Sequence, residues 1–477
     1  MKFHKLYIFV FLLFFSSISI VYSQVGIGTI TPDASSMLDI TSTTKGMLAP
    51  RMTSAQRTAI ASPVEGLLVF DIDEDVFYFY DSSAWLPLES AEKRNNHKLI
   101  KSAADLSAEL AAGGGTKYLL TSNTLYEING TIILAQPIDL NNAYLIGLDV
   151  NEDILIKSGG TMFTGNTGGS IKTLTLTAPG GTIFGLTGST GQNLLFRDSI
   201  VANAASVGTI SGYSLVFSSV IQFAGNTNGI TYSNITDLLI SNLAWGGSNG
   251  GTYVSFVGDF KNIQNQGGYM EVIGATAGID ITGVTSITGG AGLRSIQFLG
   301  GGNYINGTAI YPGYNFTNSW DVNCPGIRVE TDNNATGDIN FNYPVGTGAQ
   351  TTFSGTGTGS RTKLSGNTTS NNLFRFNSAV NNRITYDGLQ TRYFNISTSI
   401  SFLGTNNNAI FIFYIAKNGV IEDKTRVYRE IGGNNDVGAV SVVGSLELAP
   451  GDYIEVWGER FSGTGELLTV SLNLTAK

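Results

Sequence analysis

Short apolar runs, each cut off by Gly or Asn, recur through the middle of the chain at an interval too long for a hairpin and too regular for unrelated strands. Between about Lys98 and Tyr343 these runs are Ile171 to Leu176, Leu194 to Phe196, Ser214 to Phe217, Leu238 to Ile240, Tyr269 to Ile273 and Ser295 to Leu299. The first four begin roughly 20 to 24 residues apart. Hairpins return after a few turn residues, whereas one coil of a solenoid consumes about this length of chain. The spacing predicts a parallel β-solenoid at 99–345.

Composition agrees with a nearly all-β chain. Gly accounts for 60 of 477 residues and charged residues for only 13%. Ample Val, Ile, Leu and Phe with little charge opposes disorder, and Gly, Asn, Thr and Ser suit many tight turns. A net charge of −9 without a dense basic run excludes general nucleic-acid binding, because a phosphate backbone would be repelled. Lys2 and Lys5 followed by apolar Leu6 to Val21, with Val21 and Ser23 as small residues before Gln24, read as a signal peptide at 1–23. The expected product is exported, extracellular or at a cell surface, with no transmembrane span after signal removal. Cys324 is the one cysteine, so no intrachain disulfide can form, and it reads as a small buried hydrophobe.

After the signal come Val25-Gly26-Ile27-Gly28-Thr29, then Thr43-Thr44-Lys45-Gly46-Met47-Leu48-Ala49-Pro50-Arg51-Met52-Thr53, then Phe77-Tyr78-Phe79-Tyr80 with Trp85. Taken in order, Val25 to Leu88 resembles the N-terminal segment of many exported Bacteroidetes proteins and of phage tail-fibre-like proteins. Ala49 stands where that pattern often has a second Pro. The resemblance implies an attachment or stalk module at 24–88 and no chemistry. Leu67 to Phe70 and Val76 to Tyr80 flank the acidic stretch 71–75 and read as a hairpin. Val76 and Ser82 occupy positions where an EF-hand needs Gly and Glu, so the stretch is expected to be a solvated turn and no calcium loop.

Residues 89–98 are charged and polar and mark a linker. Ser102-Ala103-Ala104-Asp105 has the form of a capping box ahead of Leu106, Leu110 and Ala111, a short helix suited to covering the open end of a solenoid. With Tyr118-Leu119-Leu120 and Tyr126-Glu127-Ile128-Asn129-Gly130-Thr131-Ile132, this start resembles right-handed β-helix proteins of the pectate-lyase-like kind. Residues 346–375, rich in Gly, Thr, Ser and Asn, read as a second linker, flexible at Gly355 to Gly359. Beyond it Phe394, Ile396, Thr398, Ile400 and Phe402 alternate with polar neighbours, and Lys417-Asn418-Gly419 is a hairpin turn. With Leu446-Glu447-Leu448 running into Pro450-Gly451-Asp452-Tyr453-Ile454-Glu455-Val456-Trp457, residues 376–477 resemble the C1q and tumour-necrosis-factor-like antiparallel jelly roll. That resemblance implies a homotrimer and ligand presentation.

Chemistry is sparse. His97, placed in the linker, is the one histidine of the mature chain, which removes a Ser-His-Asp triad and multi-His metal sites, while one Cys removes cysteine zinc sites. No cofactor or metal is implied. Asp237, Asp259 and Asp280 recur at intervals of 22 and 21 residues, so they could stack on successive coils about 4.8 Å apart, within reach of a glycosidase-like carboxylate pair. Asp also recurs wherever a turn enters a strand, because its side chain satisfies turn N–H groups. Sugar binding needs exposed aromatic faces beside amides and hydroxyls. Trp245 before Gly246-Gly247, and Tyr304, Tyr311, Tyr314 and Trp320 in a Gly- and Asn-rich stretch, are the candidates, against packing under long loops. The reading is an adhesin or receptor-binding fibre recognising a polysaccharide or cell-surface glycan, non-catalytic; the alternatives are a tailspike-like depolymerase using the aspartates, and a purely structural shaft.

Overall fold

The computed structural model of the protein describes residues 24–88, 95–308, 310–433 and 436–477. The expected signal peptide and residues 89–94 of the expected linker lie outside the described residues. The chain divides into two compact units, 1–94 and 95–477.

In the first unit, strand Val25–Ile27 pairs in parallel with Leu38–Ile40, and Leu68–Asp71 and Val76–Tyr80 form the expected hairpin. Helix Ser54–Thr58 opens on a capping box in which the Gln56 N–H donates to Thr53 Oγ1 and the Thr53 N–H donates to Gln56 Oε1. Asp71 departs from the expected solvated turn. It is fully buried, accepts from Arg57 Nε at 2.8 Å and takes the Asp73 and Glu74 N–H groups, so it ties the turn to the helix. Among the described residues of this unit only Ala49, Val69 and Tyr78 are buried hydrophobics. Ile30, Leu48, Met37 and Val64 stand 100, 80, 73 and 68% exposed.

The second unit begins with a parallel β-solenoid of about nine turns, running from strand His97–Ile100 to Trp320–Asn323. One register line passes through Ile171, Phe196, Ser218, Ile240, Asn265, Leu293 and Val322, giving coils of 25, 22, 22, 25, 28 and 29 residues. The coil thus lengthens toward its C-terminal end. All seven side chains point inward and are buried, and the two polar ones are those that break the apolar run. Ser218 Oγ accepts from the Tyr232 hydroxyl at 3.0 Å. A second inward row carries amides. Asn226 Oδ1 accepts from the Ala204 N–H, and Asn226 Nδ2 donates to Val201 O and to Asn249 Oδ1. Asn249 Nδ2 donates in turn to Phe223 O. Each rung satisfies backbone groups that a corner would otherwise leave unpaired inside the core.

One corner of the solenoid repeats a left-handed residue on successive coils: Thr173, Asp198, Val220, Asn242 and Gly267, with φ of 54, 54, 53, 52 and 70°. At Gly267 a Cβ would come 2.3 Å from Asn242 Oδ1, so any larger residue there would have to displace the Asn242 side chain, and glycine takes the positive φ at no steric cost. Residues Ala103–Leu106 form a 3₁₀ turn that leads into helix Ser107–Ala112. Leu106 is buried and Leu110 packs on the solenoid core, which closes the first coil as expected. Glu109 Oε1 accepts from the Tyr126 hydroxyl, and its carboxylate takes Lys98 Nζ at 2.7 Å. His97 sits in the first strand rather than in a linker, its Nε2 2.9 Å from Glu127 Oε2.

Antiparallel sheets follow the solenoid. Strand Gly337–Asn342, expected within the solenoid, pairs antiparallel with Leu467–Ala476, which also pairs with Arg392–Gly404. A facing sheet is built on Tyr453–Ser462 and Ala409–Lys417. Phe394, Ile396, Phe402, Phe411, Phe413, Val456 and Leu472 fill the core between them. The expected second linker is built into these sheets: Ala349–Thr351 pairs with Leu467–Ala476 and Thr362–Lys363 with Tyr453–Ser462. Phe353 and Leu364 are buried, and Arg460 donates to Gly355 O and Phe353 O. Two apolar anchors outweigh the permissiveness of the intervening glycines.

Candidate functional site

The aspartates do not stack. Asp237 lies opposite Asn262, Asp259 opposite Ser286, and Asp280 opposite Ser255 on one side and Asn306 on the other. The intervals of 22 and 21 residues that suggested stacking are close to the 22-residue coils upstream, but the coil steps at Asp237 and Asp259 are 25 and 27 residues. Each carboxylate is engaged locally. Asp237 Oδ1 accepts from Asn262 Nδ2 at 2.5 Å. Asp259 Oδ1 accepts from the hydroxyls of Thr285 and Ser286 at 2.6 and 2.7 Å, and these bonds hold its carboxyl below the usual range. Partial burial works against ionisation of Asp280, but bonds from Thr282 and Asn306 outweigh it and keep its pKa lowered too. Glycoside hydrolysis needs one carboxyl raised so that it carries a proton at working pH; Asp259 and Asp280 are shifted the other way.

The aromatic candidates separate by position. Trp245 ends strand Asp237–Trp245 and is 1% exposed, stacked on Tyr253 at 4.7 Å and packed on Phe223 at 5.6 Å. Trp320 is also 1% exposed, against Phe316 and Phe256. Both indoles lie inside the solenoid and present no face to a ligand. Tyr311 is 5% exposed, with its hydroxyl pKa pushed up to about 12 by burial. Half-buried Tyr304 donates to Gly300 O and packs on Phe298.

Tyr314 lines a large cleft. One face of its ring stacks on buried Phe374, centroids 4.1 Å apart and planes 7° off parallel. The Arg328 guanidinium lies over the ring at 4.5 Å; with Phe374 flat against one face, it covers the other. The cleft, of about 620 Å³, is formed where the end of the solenoid meets the antiparallel sheets. Its polar lining includes Thr336, Asp338, Asn371, Asn372, Thr475 and Lys477. Arg375 fixes the junction beneath it. Its buried guanidinium donates to the carbonyls of Asn318, Trp320 and Glu330, and its Cζ lies 5.3 Å from the Phe374 ring centroid. Neither Arg328 nor this cleft carries a sequence motif; both arise from segments that are distant in the chain.

A smaller groove of about 340 Å³ lies on the solenoid face, lined by Asn262, Gln264, Gln266, Gly290, Arg294 and Asp321 among others. Arg294 is ion-paired with Asp321 there. Among the described residues no helix is long and apolar enough to cross a membrane.

Residues 26–102 match the family described as phage tail like trimerisation region. No curated protein matches the chain. Among solved structures, the enzymatically active domain of bacteriophage CBA120 tailspike protein 4 is 11% identical, with 90% of this chain and 77% of that one covered and a TM-score of 0.20. The Acinetobacter phage vB_ApiP_P1 tailspike protein is 11% identical over 91% of this chain and 99% of that one, with a TM-score of 0.26. Superpositions this loose bear on neither activity nor ligand. The trimerisation region and the solenoid together fit a phage tail-fibre-like protein, and the trimerisation region supports a homotrimer.

Proposed function

We propose that the protein is an exported, trimeric receptor-binding fibre that holds a polysaccharide without cleaving it. In this reading residues 24–88 attach and trimerise, the solenoid is a shaft, and residues 376–477 form a C1q/TNF-like head. The observation that carries it is the polar cleft beside Tyr314: a volume of about 620 Å³ falls in the range of small-ligand sites, and its amide and hydroxyl lining suits sugar hydroxyls. The engaged, unstacked aspartates favour holding over cleavage. Trp245 and Trp320 serve here as core props, so alanine at either unfolds coils instead of removing a binding platform. The weak contacts of one site become effective when three copies engage one polymer.

The test incubates the protein with a panel of neutral and acidic bacterial and algal polysaccharides and reads two quantities in the same samples, retention on affinity gels and release of new reducing or unsaturated ends. Retention without new ends is expected. New ends that disappear in Asp259→Ala would establish the depolymerase instead, and no retention on any polymer would leave the chain a structural shaft.

A further inference from the structure

Resting on the polysaccharide reading, we infer that the cleft beside Tyr314 selects an acidic glycan and that Arg328 receives its sugar carboxylate. Arg328 is exposed at the cleft and has no ion-pair partner among the described residues. Its planar group is held by the Tyr314 ring, which is itself backed by Phe374. An arginine stacked in this way loses little freedom when it binds, and its N–H edge remains free for the two parallel bonds a carboxylate can accept. Buried Glu330 feels the Arg328 charge but forms no ion pair with it, its two carboxylate oxygens accepting the N–H groups of Asn315 and Phe316 at 2.8 and 3.0 Å.

The rest of the lining agrees with a carboxylated sugar. Lys477, whose backbone is fixed by two hydrogen bonds to Asn395, adds a second cation with no ion-pair partner among the described residues. Counting side chains, the lining sets these two cations against one carboxylate, Asp338, whose Oδ1 already accepts from Asn473 Nδ2 at 2.9 Å. Asn371 and Asn372 supply amide donors and acceptors suited to sugar hydroxyls, while the hydroxyls of Thr336 and Thr475 are already bonded to Asn334 O and to Ser397. The solenoid groove offers amides as well, but its arginine is already paired with Asp321.

The test uses the full chain and three immobilised probes: alginate, the same alginate with its carboxyls reduced to hydroxymethyl groups, and neutral dextran, alongside the polysaccharide panel. Alginate is expected to be retained at least about tenfold more strongly than its reduced form, with retention falling as salt rises. Arg328→Gln removes that preference, whereas Arg294→Gln in the solenoid groove keeps it. Arg328→Lys, which keeps the charge and loses the planar fork, recovers part of it. Because Arg328 is exposed, the melting temperature serves as a check that each variant folds. Equal retention of alginate and its reduced form, or a preference that survives Arg328→Gln, overturns the assignment while the polysaccharide reading stands on the panel; retention of nothing in the panel overturns both.

Discussion

At the scale of single residues, the protein's constraints sit at corners. Val220 occupies the left-handed corner at φ 53°, a conformation that costs an L-residue about 1–2 kcal/mol and is worst for a β-branched side chain. Its neighbours in the row, Asp198 and Asn242, are residue types that tolerate the geometry. Val220 is also 52% exposed, so little packing is lost on replacement. Val220→Asn is expected to stabilise the protein by about 1 kcal/mol, read as a higher denaturant midpoint at unchanged slope; an unchanged or lower midpoint would mean that the corner is not strained. Asp153 illustrates the opposite economy. Burial opposes its charge, yet the N–H groups of Gly130, Leu148 and Asp149 converge on the carboxylate at 2.8, 2.6 and 3.0 Å and keep its pKa lowered. A carboxyl whose folded pKa lies below its unfolded value near 3.9 contributes stability that is complete above that value and is lost as the pH falls through the folded one. Asp153→Asn sets an amide donor against N–H donors. It should cost about 2 kcal/mol at neutral pH and flatten the loss of stability below about pH 4, as measured by chemical denaturation across pH.

At the scale of elements, the period was legible because every coil must return an inward residue to the same line, and Phe196, Ser218 and Ile240 keep that line at equal steps. The capping helix was legible for a similar reason: Asp105, the carboxylate that takes the Lys101 and Ser102 N–H groups, stands beside Leu106 in sequence. What failed was extrapolation. The coil grows by three to seven residues after Ile240, and that growth moves Asp259 off the line that the upstream spacing would assign to it. Trp245 reads as a candidate ligand contact because glycines follow it, but a strand's last inward position can precede glycine as easily as a loop can. The reading of 346–375 as a linker failed because strand pairs as short as Thr362–Lys363 leave no periodic signature. Tyr314 could be picked out as an aromatic among Gly and Asn, while its partners Phe374 and Arg328 come from separate segments and could not.

At the scale of the whole molecule, the first unit has too little buried apolar surface to explain its own order. Ile30, Met37, Leu48 and Val64 are mostly in solvent in a single chain, a pattern associated with protein contact surfaces, and they fall within the region matched to phage-tail-like trimerisation. Multi-angle light scattering of residues 24–477 is expected to give three chains per particle at micromolar concentration. Ile30→Glu with Leu48→Glu should shift it to one chain while the far-ultraviolet β signal is kept; a wild-type monomer would remove the trimer. Helix Ser107–Ala112 meanwhile seals one end of the solenoid, and Arg375 binds carbonyls at the other. The sealed end precedes in sequence the coils it covers. A chain released from that side first always has one finished end and one growing edge, and each coil needs as its template only the coil made just before it. Order along the chain is therefore also a workable order of assembly, with the sticky edge never more than one coil wide until the final sheets close it.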